Sequence, residues 1–225
     1  MIELDWGGER LVALADRALY WPRRRTLLVA DPHFGKAATF RQAGIPIPPG
    51  TTTTDLERLR VLVADTGAER LVVLGDFFHA RSGRQENTLA AIGGWRDAHR
   101  QLAILVIRGN HDAHAGDPPD EWNIACAAEP VEDESFWLAH HPKRRRSGFV
   151  LAGHLHPALT LDDGCGGSLR SACYWFQKRL AVLPAFGRFT GAKGIRPQAG
   201  DRVLVVGPDS VLEIPPHVFD PAGCG

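Results

Sequence analysis

Side chains that bind metal ions recur in five short motifs along this chain. The motifs are Asp31-Pro32-His33, Gly75-Asp76, Gly109-Asn110-His111-Asp112, His140-His141-Pro142 and Gly153-His154-Leu155-His156. Any one of them alone is more often a turn or a surface loop. Five in succession, supplying carboxylate, amide and imidazole groups, instead indicate a metal site. Because two divalent cations held close together are a common device for cleaving phosphate esters, the pattern predicts a two-metal phosphoesterase centre.

The spacing within the motifs suits shared ligation. Asp31 and His33 are two residues apart, so on an extended segment both side chains leave the same face and reach one cation. Gly75 permits a sharp turn before Asp76, whose two carboxylate oxygens can bridge two metals. Asn110 offers a neutral amide oxygen. The last motif repeats the two-residue spacing with its two histidines.

Each motif follows a short apolar run that is typical of a buried strand. These runs are residues 26–30, 70–74, 102–107, 135–139 and 148–152. Between the first three runs, residues 50–65 and 85–100 have helical periodicity, with Thr54 or Asp55 as the predicted N-cap of the first helix. Alternating strands and helices predict a layered α/β fold with the motifs at the carboxyl ends of strands, where such folds bind ligands.

The last third of the chain has a different pattern. Its apolar runs, residues 169–176, 180–183, 202–206 and 211–214, are strand-like and have no long helix between them. We therefore expect a second sheet packed on the first. The length predicts a single domain spanning residues 1–225, with a tail from about residue 216 in which prolines and glycines are frequent.

Composition excludes several classes of protein. Lys plus Arg and Asp plus Glu both number 26, so the formal charge is zero. This argues against a chain-wide cationic surface but does not exclude a local basic patch. No apolar run is long enough for a membrane span, and no signal peptide is expected.

The four cysteines, Cys126, Cys165, Cys173 and Cys224, form no C-x-x-C pair. Reduced thiols in a cytoplasmic protein are the favoured interpretation.

The order of the five motifs resembles that of the calcineurin-like metallophosphoesterase superfamily. The resemblance implies a four-layer αββα sandwich of two mixed sheets flanked by helices, and two divalent metal ions. By motif, the first metal would take Asp31, His33 and His156, the second Asn110, His140 and His154, and Asp76 would bridge them. Of the adjacent His140 and His141, the first is preferred as the ligand and the choice stays open.

Four longer segments resemble one branch of that superfamily, the bacterial ligase-associated DNA-damage-response endonucleases. They are residues 30–36 (ADPHFGK), 44–50 (GIPIPPG), 75–81 (GDFFHAR) and 183–191 (LPAFGRFTG). The resemblance implies a manganese-dependent DNA endonuclease or phosphodiesterase that works in repair with a DNA ligase and a helicase, with single-stranded DNA the expected partner. Ligands of nitrogen and oxygen alone suit manganese, iron or zinc, and manganese is preferred on the resemblance. His79 departs from the wider superfamily, where an acidic residue or Asn is common.

The mechanistic hypothesis is in-line attack on phosphorus by a hydroxide that bridges the two metals. His111, next to Asn110, would stabilise the transition state or protonate the leaving oxygen, and Asp112 would orient His111. The alternative substrate is a small nucleotide or another small phosphoester.

Contacts with substrate are predicted from charge and position. The run Lys143-Arg144-Arg145-Arg146 follows the His140 motif and would hold flanking phosphates, or is simply a solvated charge run. Further candidate contacts are Lys36, His79, Arg81 and His141. Phe34, Phe77 and Phe78 could stack on bases, although core packing is expected for at least two of them.

Overall fold

A seven-stranded mixed sheet forms the amino-terminal part of the molecule. The computed structural model describes residues 1–48, 50–162 and 167–218. The strands of this sheet are Ile2–Trp6 (β1), Glu9–Ala13 (β2), Leu19–Trp21 (β3), Thr26–Val29 (β4), Arg70–Leu74 (β5), Ala103–Ile107 (β6) and Ala125–Ala127 (β7). They lie side by side in chain order. Neighbours are antiparallel from β1 to β4 and parallel from β4 to β7.

A second mixed sheet contains the other nine strands of the described chain. They are Val131–Asp133 (β8), Phe136–Ala139 (β9), Phe149–Ala152 (β10), Pro157–Asp162 (β11), Ser168–Phe176 (β12), Leu180–Val182 (β13), Lys193–Gly194 (β14), Arg202–Val206 (β15) and Val211–Ile214 (β16). The three strands β9, β10 and β13 are parallel to one another. The carboxyl ends of β9 and β10 carry the last two motifs.

The described α-helices are Lys36–Gln42 (α1), Thr51–Thr66 (α2), Glu86–Ala98 (α3) and Asp112–Ala115 (α4). The apolar stripe of α2, which contains Leu56 and Leu59, packs with Ile92 of α3 on the outer face of the first sheet. The predicted N-cap of α2 is wrong, because the helix begins a turn earlier, after Gly50 with φ 94°. Asp55 is instead buried and accepts a hydrogen bond from Arg58 at 2.8 Å.

The main core lies between the two sheets. Trp6 and Trp21 of the first sheet contact Phe136 of the second, with ring centroids 5.7 and 4.9 Å apart. Tyr174 is fully buried there, and its hydroxyl group contacts the carbonyl oxygens of Leu14 at 2.7 Å and Ala18 at 2.9 Å. Burial of each such side chain contributes about 1.5–3 kcal/mol to the free energy of unfolding. Two mixed sheets flanked by helices confirm the predicted α/β sandwich.

All nine predicted strands are present, with ends displaced by at most one residue. The predicted second helix is shorter, ending at Ala98. The sequence interpretation missed the amino-terminal hairpin of β1 and β2, although Gly7-Gly8, with φ of 65° and 80°, is a strong hairpin signal.

None of the described helices is both long and apolar enough to cross a membrane. Pro49, Cys165, Cys224 and residues 219–225 of the predicted tail lie outside the described residues.

Candidate metal centre

The seven predicted ligands gather at one edge of the molecule, where parallel strands of both sheets end. Asp31 and His33 follow β4, Asp76 follows β5, Asn110 follows β6, His140 follows β9, and His154 and His156 follow β10. The two edges meet directly, because Ala30, just after β4, forms an isolated parallel bridge with Ala185, which follows β13 of the second sheet. Residues up to 125 positions apart in the sequence (Asp31 to His156) therefore face one another.

Asp31, His33 and His156 form the first cluster, in which ligand atoms lie within 4.8 Å of one another. Nε2 of His156 lies 3.5 Å from Oδ2 of Asp31. Oδ1 of Asp31 and Nε2 of His156 are buried and have no hydrogen-bond partner among the described residues. Buried polar atoms are normally satisfied, so this pair of unpartnered acceptors fits a divalent cation.

Asn110, His140 and His154 form the second cluster. Nε2 of His140 lies 2.9 Å from Oδ1 of Asn110 and 3.0 Å from Nδ1 of His154. On the other side of the ring, Nδ1 of His140 lies 3.1 Å from the carbonyl oxygen of Leu74. A carbonyl oxygen only accepts, so Nδ1 holds the proton and the lone pair of Nε2 points into the cluster.

The carboxylate of Asp76 lies between the clusters. Its Oδ2 is 3.7 Å from Nε2 of His33 and 3.6 Å from Nε2 of His140. Its Oδ1 accepts a hydrogen bond from the backbone N–H of His111 at 2.9 Å. Burial raises the pKa of Asp76, and a nearby cation would oppose that shift because it favours the charged carboxylate.

Several of the predicted ligands have a left-handed backbone conformation. Nine non-glycine residues of the described chain have positive φ, and five of them are the predicted ligands Asp31, His33, Asp76, His154 and His156. This conformation costs on the order of 1–3 kcal/mol per residue and concentrates at functional sites. Two glycines give the ligands room: a Cβ on Gly75 would lie 2.0 Å from Nδ1 of His140, and one on Gly109 would lie 2.2 Å from Oδ1 of Asp76.

The buried imidazoles are held neutral, which is the form that binds metals. Burial, with a smaller contribution from the nearby cation Lys36, lowers the pKa of His33 to about 2 and that of His79 to about 4. Burial also lowers the pKa of His154. Metal binding therefore needs little proton release from these groups at neutral pH.

Glu129, which no motif contains, fixes the His140-His141 turn. Its Oε2 accepts hydrogen bonds from the backbone N–H groups of both histidines at 2.7 Å, and its Oε1 lies 2.5 Å from Nδ1 of His141. His141 also lies beside His154, but His140 is the fully buried ring that faces Asp76. The geometry therefore favours His140 as the ligand.

The position of His111 differs in one respect from the sequence prediction. Its Nδ1 lies 2.6 Å from the carbonyl oxygen of His79. The carboxylate of Asp112 accepts hydrogen bonds from the backbone N–H groups of Gly109 at 2.9 Å and Phe78 at 3.3 Å. The prediction that Asp112 orients the His111 ring is therefore wrong: Asp112 supports the loop, and His79 supplies the orienting carbonyl. Burial raises the pKa of Asp112 to about 6.

The structure separates the predicted basic run from the ligands. Arg144 donates a hydrogen bond to Oε1 of Gln177 at 2.5 Å, and Arg145 lies over the ring of Trp137. Gln177 precedes β13 at the amino end of the parallel strands, opposite the metal-binding edge. The structure therefore does not bring Arg144 and Arg145 to the predicted ligands, because the connection from β9 to β10 leads away from that edge. Lys143 is exposed two residues beyond His141.

A shallow, widely open cleft with three other cations borders the predicted ligands instead. Lys36, Arg170 and Lys193 line it together with His154 and His156, and its volume is about 690 Å³. Lys36 is half-buried, and burial lowers its pKa. Sequence reasoning found Lys36 and missed the other two, because they come from β12 and β14 and belong to no motif.

The remaining predicted contacts have distinct positions. His79 adjoins the first cluster, with its Nδ1 3.4 Å from Nδ1 of His33. Arg81 is exposed at the start of a 3-10 turn. Phe34, Phe77 and Phe78 are 3%, 4% and 0% exposed, so all three are core residues and none is available to stack on a base.

The two mixed sheets with their flanking helices and the shared edge agree with the fold of a metallophosphoesterase. A solved structure, that of the Pseudomonas putida nuclease MPE, has 42% sequence identity to the chain over 94% of this chain and 99% of that chain, with a TM-score of 0.82. The chain belongs to the family of that nuclease, within the calcineurin-like metallophosphoesterase superfamily. The family resemblance seen in the motifs is confirmed.

Two further solved structures are less similar. The protein of unknown function AQ665 from Aquifex aeolicus has 15% identity over 58% of this chain and 78% of that chain, with a TM-score of 0.38. The phosphoesterase Yfce from E. coli has 14% identity over 86% of this chain and 98% of that chain, with a TM-score of 0.40. TM-scores this low do not establish a common detailed fold. No protein-family model and no curated protein matches the chain.

Proposed function

We propose that the chain is a two-metal phosphodiesterase that cleaves single-stranded DNA at internal positions. The position of the Asp76 carboxylate carries this proposal, because it faces His33 of the first cluster and His140 of the second. A carboxylate between two ligand sets is suited to bridging two cations. The similar Pseudomonas putida protein is described as a nuclease, which supports the same reaction class here.

The donor set suits manganese, with iron or zinc as alternatives, because nitrogen and oxygen ligands are present without thiolate. Asp31, His33 and His156 would hold one ion, Asn110, His140 and His154 the other, and Asp76 both. When bound, the ions would polarise the phosphoryl oxygens and lower the pKa of water.

His111 is the proposed proton donor to the leaving oxygen. Its Nδ1 donates to the carbonyl oxygen of His79 at 2.6 Å. In the imidazolium form, Nε2 would carry the second proton and pass it to the leaving oxygen, and the ring would then be neutral with its remaining proton on Nδ1. Its backbone N–H donates to Asp76 at 2.9 Å, so the ring is fixed with respect to the proposed bridging ligand. A positioned acid of this kind contributes about 10²–10⁴-fold in rate.

A polymeric substrate is favoured by the cationic cleft. Lys36, Arg170 and Lys193 stand beside His154 and His156 although the whole chain has zero formal charge. Cations beside a cleavage site hold the phosphates that flank the scissile bond. A role in DNA repair beside a ligase and a helicase is part of this proposal and is supported by the motif resemblance alone.

Circular single-stranded DNA gives a direct test. Metal-stripped protein is incubated with the circle and with each divalent cation in turn, and manganese is expected to give linear and then shorter products. Asp76→Asn protein is the matched control and should leave the circle intact. An intact circle together with hydrolysis of a small diester would favour the small-nucleotide alternative, and no hydrolysis with any metal would refute both.

A further inference from the structure

An aromatic strip extends from the proposed metal centre to the protein surface. It consists of His111, His79, Phe40 and Phe189. His111 and His79 are stacked with ring centroids 4.9 Å apart, and His79 and Phe40 with centroids 6.0 Å apart. Phe40 meets Phe189 edge to face at 5.6 Å. The strip therefore begins at the proposed proton donor and continues without a gap to the ring of Phe189.

The outer end of the strip is accessible. Phe189 is 38% exposed, whereas Phe186, three residues earlier in the same segment, is fully buried. Phe40 projects from α1 and is half-buried. A phenylalanine that presents its ring to solvent beside a ligand cluster offers a face of the size and polarity that a nucleobase covers.

The strip also lies beside a cation that could hold the phosphate of the same nucleotide. Lys36 lines a pocket with Phe189 and His33, and it also lines the cationic cleft with Arg170 and Lys193. A nucleotide with its phosphate at Lys36 and the metal centre would thus have its base at the aromatic strip. The next phosphates of the strand would enter the cationic cleft.

We infer that Phe189, supported by Phe40, is a base-stacking subsite for single-stranded DNA. This inference rests on the proposed function and adds a specificity-determining residue to it. Duplex DNA keeps its bases stacked on one another, so their faces cannot reach the ring. Stacking of one base on an aromatic side chain is worth about 1–3 kcal/mol, which corresponds to a change in affinity of about 5- to 150-fold.

The test compares Phe189→Ala with two matched variants. Phe189→Trp keeps an aromatic face, and Leu212→Ala removes a 60% exposed side chain from β16. Wild type and each variant, loaded with manganese, are assayed on three substrates. These are a thymidylate oligonucleotide, the same oligonucleotide without bases, and methyl p-nitrophenyl phosphate, a diester that has no nucleobase. Phe189→Ala should lower kcat/KM on the thymidylate strand about 5- to 150-fold, mainly through KM, with a much smaller loss on the other two substrates. Phe189→Trp should restore cleavage, and Leu212→Ala should match wild type.

The outcomes separate the subsite from the proposed function. Equal KM values for wild type and Phe189→Ala on the thymidylate strand would refute the subsite while leaving the nuclease proposal intact. If the wild-type protein cleaves no DNA, the proposed function fails, and dissociation constants for the uncleaved strands then decide the subsite. Weaker binding by Phe189→Ala to the thymidylate strand alone would support the subsite, and identical binding would refute it.

Discussion

The carboxylate of Asp31 accepts a hydrogen bond from the backbone N–H of His154 at 2.8 Å, across 123 positions of sequence. Asp31 follows β4 of the first sheet, and His154 follows β10 of the second. One carboxylate oxygen thus fixes the junction between the sheets, while the other, Oδ1, is buried without a partner in the described structure. One oxygen holds the junction between the sheets, and the other is left to bind a metal ion. We therefore expect metal binding to require the negative charge of Asp31, and folding to require only the shape of its side chain.

Asp31→Asn is expected to lose the metal of the first cluster while remaining folded. An amide of the same shape keeps one oxygen near His154 but removes the negative charge, so manganese should fall from about two ions per chain to about one. Elemental analysis of dialysed protein, with circular dichroism as the check on folding, measures this. Asp97→Asn, at an exposed pair with Arg100, is the control; full manganese occupancy in Asp31→Asn would contradict the assignment.

Gly109→Ala is expected to lower the rate of DNA cleavage by about 100-fold. The added Cβ would lie 2.2 Å from Oδ1 and 2.7 Å from the backbone nitrogen of Asp76, so the proposed bridging carboxylate must move. A displacement of about 1 Å at a catalytic centre can cost about 100-fold in rate. Gly94→Ala is the matched control, because a Cβ there meets nothing within 4 Å and Ala favours the helix. Wild-type turnover by Gly109→Ala would show that the loop has more room than the structure gives it.

His111→Ala should retain metal and lose more activity on DNA than on a nitrophenyl diester. A DNA sugar oxygen is a poor leaving group that needs a proton, whereas nitrophenolate leaves without one. The expected loss on DNA is about 10²–10⁴-fold. Manganese content and kcat on both substrates are measured for the same preparation, and equal losses on the two substrates would contradict the proton-donor role.

The gathering of the predicted ligands at one edge was predictable from the sequence, whereas much of what surrounds them was not. Each ligand follows an apolar run, so local pattern and strand topology together place it at the shared edge. Glu129 and Arg170 have no such signal, because only the pairing of distant strands brings them to the site. Conversely, Arg144 is close to the His140 motif in the sequence, which predicted a contact with substrate. In the structure the connection after β9 runs away from the metal-binding edge, and Arg144 donates a hydrogen bond to Gln177.

Salt dependence should distinguish the cationic cleft from the basic run. Lys193→Ala removes an exposed cation beside His156, so the slope of log KM against log salt for single-stranded DNA should fall by about 0.7. Arg145→Ala should leave the slope unchanged, since Arg145 lies 3.9 Å from the centroid of the Trp137 ring on the connection that leaves the site. Slopes are measured from about 50 to 200 mM salt. A lower slope for Arg145→Ala and an unchanged slope for Lys193→Ala would indicate that the basic run, and not the cationic cleft, contacts the phosphates.

Glu9 should make stability depend on pH. Its buried carboxylate accepts hydrogen bonds from Arg23, from Nε1 of Trp21 at 2.9 Å and from Ser135 at 2.8 Å, and so joins β2 to the turn before β9. These contacts, with Arg23 the largest, lower the pKa of Glu9 from 4.5 to about 2. A depressed carboxyl pKa means that the stabilisation is complete above about pH 4.5 and disappears as the pH falls towards 2.

Glu9→Gln is therefore expected to lower the free energy of unfolding at pH 7 by on the order of 1–3 kcal/mol, and by progressively less between pH 4.5 and pH 2. Urea unfolding of metal-free protein at pH 7 and at pH 3 measures the two differences, and subtraction from wild type removes the effect of every other acid. Glu3→Gln, at an exposed pair with Arg10, is the control and should be near neutral at both pH values. A deficit in Glu9→Gln that is the same at pH 7 and pH 3 would mean that the side chain acts through its shape and not through its charge.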